Sequence, residues 1–106
     1  MIFERDPHRL FGVARAHRLE LVSRTERRRG GRVREVRWFV ERDVGGESIA
    51  RYRCWDERAL PGRIPAGARG GGPARELGWE RYGPDGELLD REVRRARTAD
   101  DVAAVH

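Results

Sequence analysis

The sequence predicts an α+β, mainly β fold built on an antiparallel meander sheet of about five strands. Three turn signals that contain glycine separate stretches of alternating apolar and charged residues. They lie at Gly30-Gly31, at Gly45-Gly46 and at residues 83–86. Glycine takes the positive φ angles of tight hairpin turns at no steric cost, so each signal favours a hairpin. Alternating apolar and charged residues lie between the turns, and an apolar stripe precedes them. A small closed β-barrel is the alternative arrangement.

The first predicted element is a helix near the N-terminus. It begins at Asp6-Pro7, because Asp is a favourable N-cap and Pro is tolerated in the first turn. The apolar residues that follow are Leu10, Phe11, Val13, Ala14 and Ala16. We expect this helix to pack on one face of the sheet.

Five strands are expected over residues 18–29, 32–43, 47–55, 74–82 and 87–96. In the second strand Val36, Trp38 and Val40 alternate with charged residues, which is the period-two pattern of a half-buried strand, although Phe39 interrupts it. The alternation predicts one apolar face, made of Val36, Trp38, Val40, Ala50, Tyr52, Cys54, Leu77, Trp79, Leu89 and Val93. The opposite face carries both signs of charge, which is typical of a solvated face with cross-strand ion pairs.

Residues 56–73 are predicted to form a long loop rich in Gly and Pro. Loops of this length in a compact domain are usually functional or disordered. After the fifth strand, Thr98 is a plausible N-cap for a short C-terminal helix. The length favours a single domain over residues 1–106.

The composition is unusual because all 23 basic residues are arginine, with no lysine. That bias is typical of a GC-rich bacterial genome, so some arginines reflect codon usage rather than binding. The net charge of +5 is nevertheless compatible with a polyanionic partner. Leu, Ile, Val and Phe make up only about a fifth of the chain, a thin core that favours stabilisation by an oligomer or a partner.

Catalytic, metal and cofactor chemistry have little support. Cys54 is the only cysteine, so an intrachain disulfide and zinc-finger spacing are both excluded. No phosphate-binding loop or nucleophile motif is present, and we expect a non-catalytic protein without cofactor or metal. The chain lacks an apolar run long enough to span a membrane, and charged residues begin already at Glu4, so we expect a cytoplasmic protein with no membrane partner.

The strongest charge cluster surrounds the first turn. Its arginines are Arg24, Arg27, Arg28, Arg29, Arg32 and Arg34. A two-stranded ribbon can enter a major groove, and arginine can pair with guanine or phosphate, so these residues form a candidate nucleic-acid site. The competing interpretation, and the favoured one, is a hairpin decorated with arginine and simply solvated.

A second candidate site, for a ligand or a partner protein, consists of Trp55, Arg53 and Tyr52. Trp55 has the parity of the charged face and is expected to be the most exposed tryptophan, whereas Trp38 and Trp79 are expected in the core. The leading functional hypothesis is a binding or assembly module that self-associates or binds a protein. The alternatives are a nucleic-acid-binding protein that uses the arginine hairpin, and a small-ligand binder with a Trp-lined cavity.

Overall fold

The structure, a computed structural model, describes residues 6–60 and 74–96. It contains one short helix and five strands: α1 (Pro7–Phe11), β1 (Arg18–Arg29), β2 (Arg32–Arg42), β3 (Ser48–Ala59), β4 (Arg75–Tyr82) and β5 (Leu88–Ala96). Each strand pairs antiparallel with the next, in the order β1-β2-β3-β4-β5. The predicted meander is therefore confirmed. Its two edges, β1 and β5, are not paired with each other, so the sheet is open and the closed barrel is not formed.

The turn glycines adopt the conformations that define the hairpins. Gly30 and Gly31 have φ angles of 58° and 77°, as a type I′ turn requires at both central positions. In the second hairpin only Gly46 is left-handed, with φ of 87°, and its amide donates to the carbonyl of Asp43 at 2.9 Å. Gly86 occupies the equivalent position in the third hairpin. The second and third turns are thus longer loops, in which a left-handed glycine follows the turn.

β3 is longer than expected, so the predicted start of the loop over residues 56–73 is wrong. Asp56 pairs with Glu35 on β2, and the last pair of β3 joins Ala59 to Arg32. The Asp56 carboxylate also accepts two hydrogen bonds from Arg75 on β4, at 3.0 and 2.7 Å. Cross-strand pairing therefore extends the strand by four residues. The rest of that loop and the predicted C-terminal helix lie outside the described residues.

The N-terminal helix forms where expected but ends early. The Asp6 side chain accepts a hydrogen bond from the amide of His8 at 3.0 Å, which confirms the predicted N-cap. Gly12 then takes a left-handed conformation, with φ of 69°, and ends the helix after five residues. Ala14 and Ala16 are consequently exposed rather than part of an apolar stripe.

Phe11 anchors this helix to the sheet. Its ring stacks on Tyr52 with centroids 4.4 Å apart and meets Phe39 and Trp79 edge-on at 5.7 and 5.5 Å. The same cluster includes Val13 and is the main hydrophobic core. We call the side of the sheet that carries these residues the helix face and the other side the far face.

The prediction of one apolar face is wrong, because the apolar residues divide between the two faces. Register pairs Phe39 with Tyr52 on the helix face, so Trp38 lies on the far face together with Val36 and Val40. Residues directly opposite each other in antiparallel strands share a face. Both parities of β2 carry large apolar side chains, and the contact between Phe39 and Phe11 decides which of them faces the helix.

Candidate nucleic-acid interface

Charge is distributed unevenly along the sheet. We define the tip half as residues 26–35, 56–59, 75–77 and 94–96, which are the rows of the sheet nearest the first turn. The base half comprises the other described residues, 6–25, 36–55, 60, 74 and 78–93. The base half is neutral, with ten arginines and ten carboxylates. The tip half has nine arginines against five carboxylates, so the whole charge excess of the described chain lies there.

Most of the described arginines away from the first turn form ion pairs with carboxylates. Glu35, for example, binds Arg24 of the neighbouring strand β1 at 2.6 Å and Arg37 of its own strand at 2.7 Å. Other pairs of this kind, at 3.4 Å or less, include Arg15–Asp6, Arg53–Glu80, Arg75–Asp56, Arg94–Glu92 and Arg95–Glu76. These arginines are therefore largely neutralised by the protein itself.

Four arginines lie together at the end of the tip half, and we call them the tip arginines: Arg27, Arg28, Arg29 and Arg58. In the base half Arg51 is likewise exposed without an ion pair to any described residue, and Arg18 has only a contact of 4.0 Å with Glu20. All four tip arginines are exposed. Among the described residues no carboxylate forms an ion pair with Arg27, Arg29 or Arg58. Arg28 has a single contact with Glu26, at 3.5 Å, and both side chains are open to solvent. The unbalanced charge of the tip half is thus carried by side chains that are free to bind an anion.

The other predicted arginines of this cluster are occupied. Arg24 donates to Glu35 at 2.6 and 3.0 Å, and that hydrogen bond raises the pKa of the guanidinium. Arg32 donates to Glu57 at 3.2 Å, and Arg34 lies 3.8 Å from the same carboxylate. Three of the six predicted residues therefore remain exposed without a strong acidic partner.

Arg58 joins the site although the sequence did not indicate it. It lies on β3 and shares a row of the helix face with Arg28, on the other side of Val33. The loop expected from its Gly and Pro content begins at residue 56 and therefore includes Arg58. Only the observed strand length brings it beside the turn.

The end of the sheet is broader than the ribbon assumed from the sequence. β3 stays paired with β2 as far as Arg32 and Ala59, so three strands reach the first turn. β4 and β5 end one row earlier, at the pair Arg75–Ala96. The tip is therefore the end of a three-stranded sheet, not a free two-stranded ribbon.

Trp55 is not exposed, contrary to expectation. Only 3% of its surface is accessible. Arg34 and Arg53 lie over its ring at 5.4 and 5.0 Å from the centroid, and its indole nitrogen donates to Glu76 at 2.8 Å. Cation–π contacts and this hydrogen bond hold the ring flat on the far face, where it cannot stack on a ligand.

Tyr52 is also structural, because it is fully buried in a polar network beneath the helix. Its hydroxyl donates to Glu41 at 2.6 Å and accepts a hydrogen bond from Arg81 at 3.0 Å. Burial and the Glu41 carboxylate both raise the pKa of Tyr52. Glu41 is bound in turn by His17, and Arg81 donates to the carbonyl of Phe11, so the network attaches the N-terminal segment to the sheet.

The predicted ligand-binding residues do not form one surface. Tyr52 lies on the helix face, whereas Arg53 and Trp55 have the opposite parity on β3 and lie on the far face. The tryptophans divide in the same way, because Trp79 belongs to the helix-face core and Trp38 to the far face. The cavity lined by three tryptophans that a small-ligand binder would use is absent from the described part of the chain.

Reactive groups are few. Burial raises the pKa of the Cys54 thiol to about 11, which keeps it protonated at neutral pH. Within residues 6–60 and 74–96, no three His, Cys, Asp or Glu side chains cluster as metal ligands would. The same residues contain no helix with the length and hydropathy needed to cross a membrane.

Comparison with known proteins gave no match. No protein family, no curated protein and no solved structure is significantly similar to this chain. The function is therefore inferred from the geometry and charge of the surface itself.

Proposed function

We propose that this protein is a non-catalytic binding module whose tip half binds nucleic acid. The observation that supports the proposal is the confinement of the charge excess to the tip half, where the tip arginines have no strong acidic partner. The base half contains equal numbers of arginines and carboxylates. Weakly paired arginines such as Arg18 and Arg51 also occur in the base half, but an equal number of carboxylates offsets the arginines there. The tip half has nine arginines against five carboxylates, and this local excess favours a site for an anion.

Arginine is well suited to such a site. Its guanidinium stays charged at any physiological pH and offers several donors in a planar fork that matches phosphate oxygens. Neutralising phosphates releases condensed counterions, which gives affinity without requiring base recognition. The exposed position of Arg27, Arg28 and Arg29 means that little protein structure has to change on binding.

Fluorescence anisotropy of labelled nucleic acid tests the proposal, at about 50 and about 200 mM salt. We expect binding that weakens steeply between the two salt concentrations and is abolished by replacing Arg27, Arg28 and Arg29 with Ala. The matched control replaces Arg15, Arg18 and Arg91, which removes the same charge from the base half. The proposal would be contradicted if both variants lost binding equally, or if the wild type did not bind nucleic acid even at low salt.

Self-association is a second candidate function, favoured by the two sheet edges. β1 exposes Leu21 and Val22, with 51% and 46% of their surfaces accessible, and β5 exposes Leu88 and Leu89. Unpaired edge strands with apolar side chains are pairing sites for a further strand. Sedimentation over a range of concentrations tests this candidate. A dimer that dissociates in a Val22→Arg variant supports it, and a wild-type monomer at every concentration contradicts it.

A further inference from the structure

The tip arginines occupy both faces of the sheet end. In the register of β1 and β2, Arg28 lies opposite Val33, and Val33 lies opposite Arg58, so Arg28 and Arg58 share the helix face. Arg27 and Arg29 are the neighbours of Arg28 along β1 and therefore lie on the far face. Each face thus carries two exposed arginines at the end of the sheet.

The spacing of these arginines follows from the geometry of the sheet. Arg28 and Arg58 are two strands apart, which separates their backbones by about 10 Å. Arg27 and Arg29 are two residues apart on one strand, which separates them by about 7 Å. The two pairs diverge from the plane of the sheet, so an extended single strand lying on one face would reach only two of the four.

The tip half also lacks the means to bind unpaired bases. Single-stranded nucleic acid is usually held by aromatic side chains on which bases stack. No Phe, Tyr or Trp is present among the tip-half residues 26–35, 56–59, 75–77 and 94–96. The nearest large ring, Trp55, is covered by Arg34 and Arg53 and cannot serve.

We propose, building on the proposed function, that the sheet end inserts into a groove of double-stranded nucleic acid, so that Arg28 and Arg58 bind phosphates on one wall and Arg27 and Arg29 bind phosphates on the other. Because the two pairs project from opposite faces of the sheet end, they can reach the two phosphate walls of the B-form major groove, which is about 12 Å wide. This arrangement uses all four tip arginines and requires no base stacking. Recognition is directed at the duplex backbone.

Two face-specific variants test this inference, each of which removes two positive charges. One replaces Arg28 and Arg58 with Ala, and the other replaces Arg27 and Arg29. Both are titrated, beside the wild type, with a short labelled DNA duplex and with one of its strands at several salt concentrations. All the substituted side chains are exposed, and circular dichroism verifies that the variants fold.

The wild type is expected to prefer the duplex, with a slope of log affinity against log salt of about −3.6 for four phosphate contacts. Each double variant should reduce the magnitude of that slope by about 1.8, and the two should lose affinity to a similar degree. A loss confined to one variant would overturn the inference, because binding would then use one face. Preference for the single strand, or equal competition by polyglutamate, would overturn it as well.

These outcomes separate the inference from the proposed function on which it rests. Binding that depends on the tip arginines but on one face only leaves the proposed function in place and removes the groove arrangement. Absence of binding by the wild type to either nucleic acid removes both.

Discussion

The indole ring of Trp55 lies directly over Gly78, its cross-strand partner on β4. A Cβ atom at position 78 would overlap the ring carbons of Trp55, so the close approach depends on glycine. Glycine is ordinarily unfavourable inside a strand because it has no side chain to pack. At Gly78 the ring of Trp55 covers the backbone instead. This packing buries the one tryptophan that the sequence marked as a binding residue, and it leaves the arginines of the tip as the candidate contact surface.

Replacing Gly78 with Ala should destabilise the protein. The added methyl group forces Trp55 off the strand and weakens its hydrogen bond to Glu76, at an expected cost of about 1–3 kcal/mol in the free energy of unfolding. Urea denaturation followed by tryptophan emission measures this cost. The control is Gly45→Ala, where a Cβ would meet only the Asp43 side chain at 3.4 Å. Equal midpoints for G78A and the wild type would show that the ring does not need the glycine.

Removing the hydroxyl of Tyr52 should also lower stability. Tyr52→Phe leaves the buried Glu41 without one of its donors and Arg81 without an acceptor, at a cost of about 1–3 kcal/mol. Tyr82→Phe is the matched control, because its hydroxyl binds Glu80 at a more accessible position and should contribute less. Chemical denaturation of the two variants compares these costs. A larger effect at Tyr82 would mean that the network beneath the helix contributes little.

Stability should fall in acid, in part through Glu76. Burial acts to raise the pKa of this carboxyl, but hydrogen bonds from Arg95 and Trp55, with the charge of Arg95, hold it below the usual 4.5. A carboxyl whose pKa is lower in the folded state stabilises the fold above the unfolded-state pKa, and that contribution disappears as pH falls through the folded-state pKa.

The urea midpoint of the wild type should therefore exceed that of Glu76→Gln at neutral pH. The gap should shrink as the pH is lowered below about 4.5, since protonated Glu and Gln are both uncharged. Midpoints measured at a series of pH values test this expectation. A gap that stays constant down to the most acidic sample would show that the ionised carboxylate adds nothing to stability.

Cys54 should react slowly with thiol reagents while the protein is folded. Its thiol pKa is raised to about 11, chiefly by burial, so the reactive thiolate is scarce at pH 8. The rate of reaction with a chromogenic disulfide should increase strongly when urea unfolds the chain. Equal rates in the folded and unfolded protein would indicate that the thiol is accessible and its pKa unperturbed.

The meander itself could be predicted from the sequence, because the turn residues and the alternation that define it are local features. Gly30-Gly31, Gly46 and Gly86 mark the turns, and the strands between them follow from alternation. The distribution of apolar residues over the two faces could not be predicted. β2 carries Trp38 and Phe39 side by side, and only the contact of Phe39 with Phe11 determines which of them faces the helix.

The candidate site was only partly predictable for the same reason. Arg27, Arg28 and Arg29 are adjacent in sequence and were found from it. Arg58 required the length of β3, and the burial of Trp55 required its pairing with Gly78 across a long connection. Which arginines are neutralised depends on cross-strand register, which no local pattern specifies.

Nuclear magnetic resonance of the ¹⁵N-labelled protein during titration with a DNA duplex tests the central claim most directly. The arginine side-chain Nε–H signals of Arg27, Arg28, Arg29 and Arg58 should shift together, along with backbone amides around Gly30 and Ala59. Signals of the base half should stay unchanged. Shifts centred on Leu21 and Val22 or on β5, or no shifts at all with excess duplex, would show that the tip half is not a nucleic-acid interface.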